Sequence, residues 1–152
     1  MSVHIREVLD RPADLLAELL TVWEASVRAT HDFLSDKEIL LIKDSVPQAL
    51  SGVAHLILAE DGTGRPVAFM GIQDGCLEML FLAPKERGKG LGRRLLEYGI
   101  ALYGVTRLTV NEQNPQARGF YEHMGFQVDK RTDLNEQGNP YPLLYMNRPT
   151  VK

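Results

Sequence analysis

The chain has 152 residues, enough for one domain over residues 1–152 and too few for a second of ordinary size. Its 44% hydrophobic and 24% charged residues fit a folded globular protein, and a net charge of −3 argues against generic nucleic-acid binding. A single cysteine, Cys76, excludes an internal disulfide framework and a multi-thiolate zinc site.

Residues 1–6 carry no long apolar stretch, so no signal peptide is expected, and no window approaches the roughly 18 apolar residues of a membrane span. The expected location is cytoplasmic, without a membrane partner. Residues 3–8 alternate and predict a first strand. Pro12 then suits the first turn of a helix whose stripe is Leu16, Leu19, Leu20, Trp23 and Val27. Ser35 and Glu38 have capping-box spacing, which predicts a second helix running to about Leu50 and ended by Gly52. Residues 53–60, 66–73 and 76–82 are β-rich runs joined by Gly-containing turns, an antiparallel meander that Pro84 stops.

Residues 90–103 predict a helix with Leu91, Leu95, Leu96 and Leu102 near one face and Gly104 at its end. A strand over 105–110, a short helix from Pro115 to Gly125, and strands over 126–130 and 141–147 complete the order β-α-α-β-β-β-α-β-α-β-β. Cys76 opens its strand and is read as a small buried apolar residue.

The most informative stretch is Arg87-Gly88-Lys89-Gly90-Leu91-Gly92-Arg93, between a strand and a helix. Free backbone N–H groups and the positive end of a helix dipole make such a turn an anion site. Glycines let the backbone approach a phosphate, and the cations add charge in an otherwise acidic chain. Two nucleotide motifs fail here. No Ser or Thr follows Gly88-Lys89, as a P-loop needs, and Arg93 occupies the third-glycine position of a dinucleotide fingerprint.

Arg87-x-x-Gly90-x-Gly92 resembles the R/Q-x-x-G-x-G/A signature of the GNAT family of N-acetyltransferases. The run from Asn111 through Asn114, Phe120 and Tyr121 to Phe126 resembles that family's second motif, and the order of elements extends the resemblance over essentially the whole chain. The resemblance implies an α/β (α+β) fold with a mixed, mostly antiparallel sheet of six or seven strands flanked by about four helices. It also implies acetyl-CoA as cosubstrate; no metal is expected, since His4, His31, His55 and His123 are scattered without ligand spacing. The acceptor would be a small-molecule amine or a protein lysine or N-terminus, and the protein a monomer or homodimer.

Carried over by position, Leu80, Phe81 and Leu82 should pair with pantetheine amides, and Arg87, Gly88, Lys89, Gly90, Leu91, Gly92 and Arg93 should hold the pyrophosphate. Asn114 should bond the cofactor, or cap the helix that Pro115 opens. Tyr121 falls where the family places a Tyr near the thioester sulfur, as acid or as a group that positions the thiol.

Acyl transfer needs a neutral amine, and for an amine of pKa about 10.4 the neutral fraction at pH 7 is roughly one in 2500, about 4.6 kcal/mol. Glu78, on the strand before Leu80 and facing opposite to Leu77 and Met79, is the first candidate for the base. His31 and Asp32, after the first helix, are the substrate-side candidates and offer a second. Transfer is expected directly within a ternary complex. A non-catalytic acyl-CoA sensor, or transfer of another acyl group, is the alternative on the same fold.

Overall fold

A computed structural model of the chain describes residues 3–149. In chain order the strands and helices are β1 (His4–Val8), α1 (Ala13–Thr30), α2 (Asp36–Lys43), α3 (Val46–Gly52), β2 (His55–Glu60), β3 (Pro66–Gln73) and β4 (Cys76–Leu82). A 3-10 turn (Pro84–Glu86) leads to α4 (Leu91–Tyr103), β5 (Arg107–Asn111), α5 (Pro115–His123), β6 (Gln127–Thr132) and β7 (Leu143–Asn147). Among the described residues seven strands form one sheet in the order β1-β2-β3-β4-β5-β7-β6. All neighbours are antiparallel except the β4–β5 pair. The mixed, mostly antiparallel architecture is the one the sequence led us to expect.

Two apolar layers sandwich the sheet. On one face α1, α2 and α3 pack Leu19, Trp23, Ile39 and Leu50 against Leu56, Leu58 and Phe69. On the other, α4 and α5 pack Leu91, Leu95, Leu96 and Tyr121 against Ile57, Met70, Ile72 and Leu77.

Three local expectations need correction. The single helix foreseen after Ser35 is two. The capping box forms, with Ser35 Oγ accepting from Glu38 N (3.1 Å) and Ser35 N donating to Glu38 Oε1 (2.8 Å). Pro47, however, has no N–H for the carbonyl four residues back, and its ring crowds that turn. The chain closes α2 with Ser45 N and Oγ both donating to the Ile42 carbonyl (3.0 and 2.8 Å), and α3 restarts with Pro47 in its first turn. Leu102 is 62% exposed, because Tyr103 closes the inner row of α4 by lying over His55 (4.7 Å between ring centroids). Pro12 stands one place before α1, where its carbonyl accepts from Leu16 N (3.1 Å).

The fourth correction concerns β4. Gly71 opposes Met79 and Ile72 opposes Leu77, so Glu78 is an extra residue, a β-bulge. Alternation restarts there. Leu77 packs with the α4–α5 layer while Met79 packs with the α1 layer, so these two do not share a face as strict alternation requires.

A polar clasp ties β1 to β2 and α4. The Tyr103 hydroxyl donates to Glu7 Oε1 (2.6 Å), and Glu7 Oε2 lies 2.9 Å from His55 Nδ1. The Tyr103 and His55 bonds hold the Glu7 carboxyl below the usual carboxylate range, against the opposing effect of burial. A depressed carboxyl contributes stability that is complete above its unfolded pKa and is lost as pH falls through its folded one. Glu7→Gln should therefore lower the melting temperature at pH 7, and the gap from wild type should narrow as melts are repeated at pH values below about 4.3. A gap that stays constant would show that the carboxylate charge contributes nothing.

Candidate active site

β4 and β5 pair at only two positions, Cys76 with Arg107 and Leu77 with Leu108. Pairing stops where the Glu78 bulge begins, and the strands part. Ala83 N donates to the Val67 carbonyl (2.8 Å), and Phe69 opposes Phe81. Antiparallel alternation then commits the N–H and C=O of Phe81 to β3 and leaves those of Leu80 and Leu82 facing the gap. The expectation that all three backbones line the gap thus reduces to two, with Phe81 contributing its side chain.

Two cavities adjoin at this gap. The first, about 380 Å³, lies among the end of α1, the 87–93 loop and α5. The second, about 210 Å³, lies beside Glu78, Met79 and β5. His31, Leu80, Phe81, Asn114, Ala117 and Tyr121 wall both.

The loop supplies the polar end of the first cavity. Gly88 and Gly90 have φ of 76° and 82°, the left-handed region in which a side chain is strained. They turn the chain so that α4 begins without a side-chain cap. The N–H groups of residues 88–93 have no hydrogen-bond partner among the described residues, while Arg94 N is the first to close onto the helix, on the Gly90 carbonyl (3.1 Å). Arg87 and Arg93 stand in the same wall. The Lys89 side chain is exposed and lines neither cavity, while its N–H is among those left free.

Asn114 caps α5, its Oδ1 accepting from Ala117 N (3.2 Å), as one of its two expected roles requires. Tyr121 is buried at 9% exposure, and its ring packs on Phe120 (5.2 Å) and Phe126 (6.1 Å). Its hydroxyl has no hydrogen-bond partner among the described residues. Among the described residues no fully buried polar side-chain atom lacks one, so this hydroxyl opens onto the cavity. Burial pushes its pKa up, which keeps the phenol protonated.

Glu78 is exposed and lines the second cavity only. His31 caps α1, its N–H donating to the Val27 carbonyl (2.7 Å). Burial first and the Arg87 guanidinium second push its imidazole below the usual range, while Asp32 opposes them. Asp32 itself is exposed and lines neither cavity; it reaches the site through its charge. Cys76 is half-buried rather than buried and lines neither cavity; burial and Glu78 push its thiol up. Among the described residues no group of three or more His, Cys, Asp or Glu side chains is placed to hold a metal ion.

The sequence reading missed Ser26 and Thr30, which line the first cavity from α1. Their signal was available, since they are a polar pair at i, i+4 on the face that otherwise buries Leu19, Val22, Trp23 and Val27.

Residues 52–128 match the family model described as an acetyltransferase (GNAT) domain. The chain is 40% identical over 153 residues to the peptidyl-lysine N-acetyltransferase YjaB of Salmonella typhimurium, covering 98% of this chain and 100% of that protein. It is 41% identical over 127 residues to the Escherichia coli protein of the same name, covering 84% and 86% respectively. The solution structure of apo-form YjaB from Escherichia coli superposes with a TM-score of 0.87 at 36% identity, covering 99% of this chain and 100% of that one. The PaiA N-acetyltransferase of Thermoplasma acidophilum, solved in complex with coenzyme A, shares the fold with a TM-score of 0.69 at 22% identity, covering 99% and 100%. The paired glycine loop and Asn114–Tyr121 helix, the splayed β4–β5 gap and these likenesses agree: the chain belongs to the GNAT family and is an N-acetyltransferase.

Proposed function

We propose that the enzyme passes an acetyl group directly from acetyl-CoA to the side-chain amine of a lysine in a peptide or protein. The observation that carries this reading is the unpartnered Tyr121 hydroxyl in the wall common to two cavities, beside the gap between β4 and β5. The free N–H groups of residues 88–93, with Arg87 and Arg93, suit a pyrophosphate. The gap-facing backbone of Leu80 and Leu82 and the Asn114 side chain suit pantetheine amides. The second cavity then receives the lysine, and the Glu78 carboxylate in its wall favours a cationic side chain. The names of the two YjaB relatives point to the same acceptor class.

In this reading the neutral amine attacks the thioester carbonyl carbon, forming the C–N bond, and the C–S bond breaks as the tetrahedral intermediate collapses. Tyr121 gives its proton to the departing sulfur, and the nitrogen gives up a proton as it becomes an amide. The raised Cys76 thiol, outside both cavities, favours direct transfer over an acyl-cysteine route.

Thiol release from acetyl-CoA, measured against lysine-containing peptides, free amines and amino acids, tests the reading. Lysine-peptide-dependent release, with acetyl-lysine found by mass spectrometry, is the expected result. Tight acetyl-CoA binding without turnover on any acceptor would replace it with a sensor, and turnover on free amines alone would reassign the acceptor.

A further inference from the structure

Thr30 and His31 stand side by side where α1 ends. The Thr30 hydroxyl oxygen is 2.8 Å from the Ser26 carbonyl oxygen and 2.7 Å from His31 Nδ1. A hydroxyl has one hydrogen, and a carbonyl oxygen only accepts. That hydrogen therefore points at Ser26, since two oxygens at this distance with none between them repel. Thr30 Oγ1 is left to accept, so Nδ1 donates. A neutral imidazole has one N–H, and its lone pair must then lie on Nε2.

Nε2 has no hydrogen-bond partner among the described residues. Because no fully buried polar side-chain atom among them lacks a partner, Nε2 keeps open surface, and the side chain that carries it stands in the wall of both cavities. The ring is held in place, since His31 N donates to Val27 (2.7 Å), its carbonyl accepts from Leu34 N (3.0 Å), and Phe33 packs 5.3 Å from it. Glu78, by contrast, is exposed and walls only the second cavity.

We propose that His31 is the general base of acetyl transfer, and that Thr30 is the positioning residue that keeps its lone pair on Nε2. This rests on the function proposed above. The lysine ammonium loses one proton to solvent on entering. As the C–N bond forms, the nitrogen becomes acidic and its proton passes to Nε2. The C–S electron pair leaves with sulfur, which takes the Tyr121 proton, and the imidazolium returns a proton to the tyrosinate. One proton is released per acetyl transferred, and both side chains end as they began.

The titratable groups that share a cavity with His31 or act on its charge are Glu86, Arg87 and Arg93 of the segment after β4 and the start of α4, Asp32 on its own segment, Glu78 of β4 and Tyr121 of α5. Burial and Arg87 hold the imidazole below the usual histidine range, so kcat/KM, which already declines with the lysine ammonium below about 10.4, should steepen into an acid limb where His31 takes up a proton.

The test has two readouts. Nitrogen NMR of the resting enzyme, which needs no turnover, should find Nδ1 protonated and Nε2 bare, and Thr30→Val should abolish that preference. Kinetically, His31→Gln should lower kcat by about 10²-fold or more and remove the acid limb, and Thr30→Val should lower kcat by about tenfold and shift the limb. A melting curve for each variant confirms that it folds. A protonated Nε2 in the wild type, or a His31→Gln enzyme that keeps both its kcat and its acid limb, would overturn the proposal while lysine acetylation stood. A wild-type enzyme with Nδ1 protonated that acetylates no lysine peptide would overturn the underlying function, and the base assignment with it.

Discussion

Replacing Tyr121 by phenylalanine is expected to lower kcat by about 10²-fold or more while leaving the protein folded. The two halves of that expectation come from different features of one side chain. The ring belongs to the core on the α4–α5 face, against Phe120 and Phe126, and phenylalanine keeps it. The hydroxyl bonds to no group among the described residues, so its removal orphans no buried partner there and should cost little stability. What is lost is a phenol that burial keeps protonated. A thiol of ordinary pKa, about 8.5, leaves more readily if a proton reaches it as the C–S bond breaks. Saturating kinetics with acetyl-CoA and a lysine peptide, alongside melting curves, measure both halves. Unchanged kcat in a folded variant would remove Tyr121 from the chemistry.

Phe69→Ala is expected to cost about 3–5 kcal/mol of stability, a large share of the roughly 5–15 kcal/mol that holds a domain together. Phe69 is fully buried on β3 and lies 5.6 Å from Phe81, whose ring is 6.5 Å from Trp23 of α1. The three rings join two strands to the helix that ends in Thr30 and His31. Since Phe81 also walls both cavities, the vacated volume lets a wall of the site relax, and activity per folded molecule should fall as well. Urea denaturation gives the stability, and turnover corrected for the folded fraction gives the second effect. A loss below about 1 kcal/mol would mean that neighbouring side chains refill the space.

Much of this was legible in the sequence because it is local. The glycine loop, the Asn-Pro cap of α5 and the capping box of α2 each need only a few neighbouring residues, and each forms as read. The break between α2 and α3 was equally local, since it follows from Pro47, but the apolar run around it masked the missing N–H. The site was harder. That β7 enters between β5 and β6 depends on pairing across the whole C-terminal third, which no window contains. Lys89 was named for its charge and its N–H, and Asp32 for its place after the first helix; that neither side chain lines a cavity depends on how the loop and the end of α1 turn in three dimensions, which the sequence does not show. The role argued for His31 depends on which of two atoms holds a hydrogen, and that follows only from distances around Thr30.

One surplus residue in β4 also separates the enzyme's stability from its chemistry. Leu77 and Met79 already face opposite layers, as consecutive residues of a regular strand would. Striking out Glu78 would therefore leave every later side chain on its present side and every earlier one likewise, with the ladder healed between them. Both cores would survive such a cut, while the strand, no longer one step out of phase, would have lost its reason to part from β5. The opening between these strands is thus written in the count of residues rather than in their kinds: a chain one shorter could keep the shape and close the door.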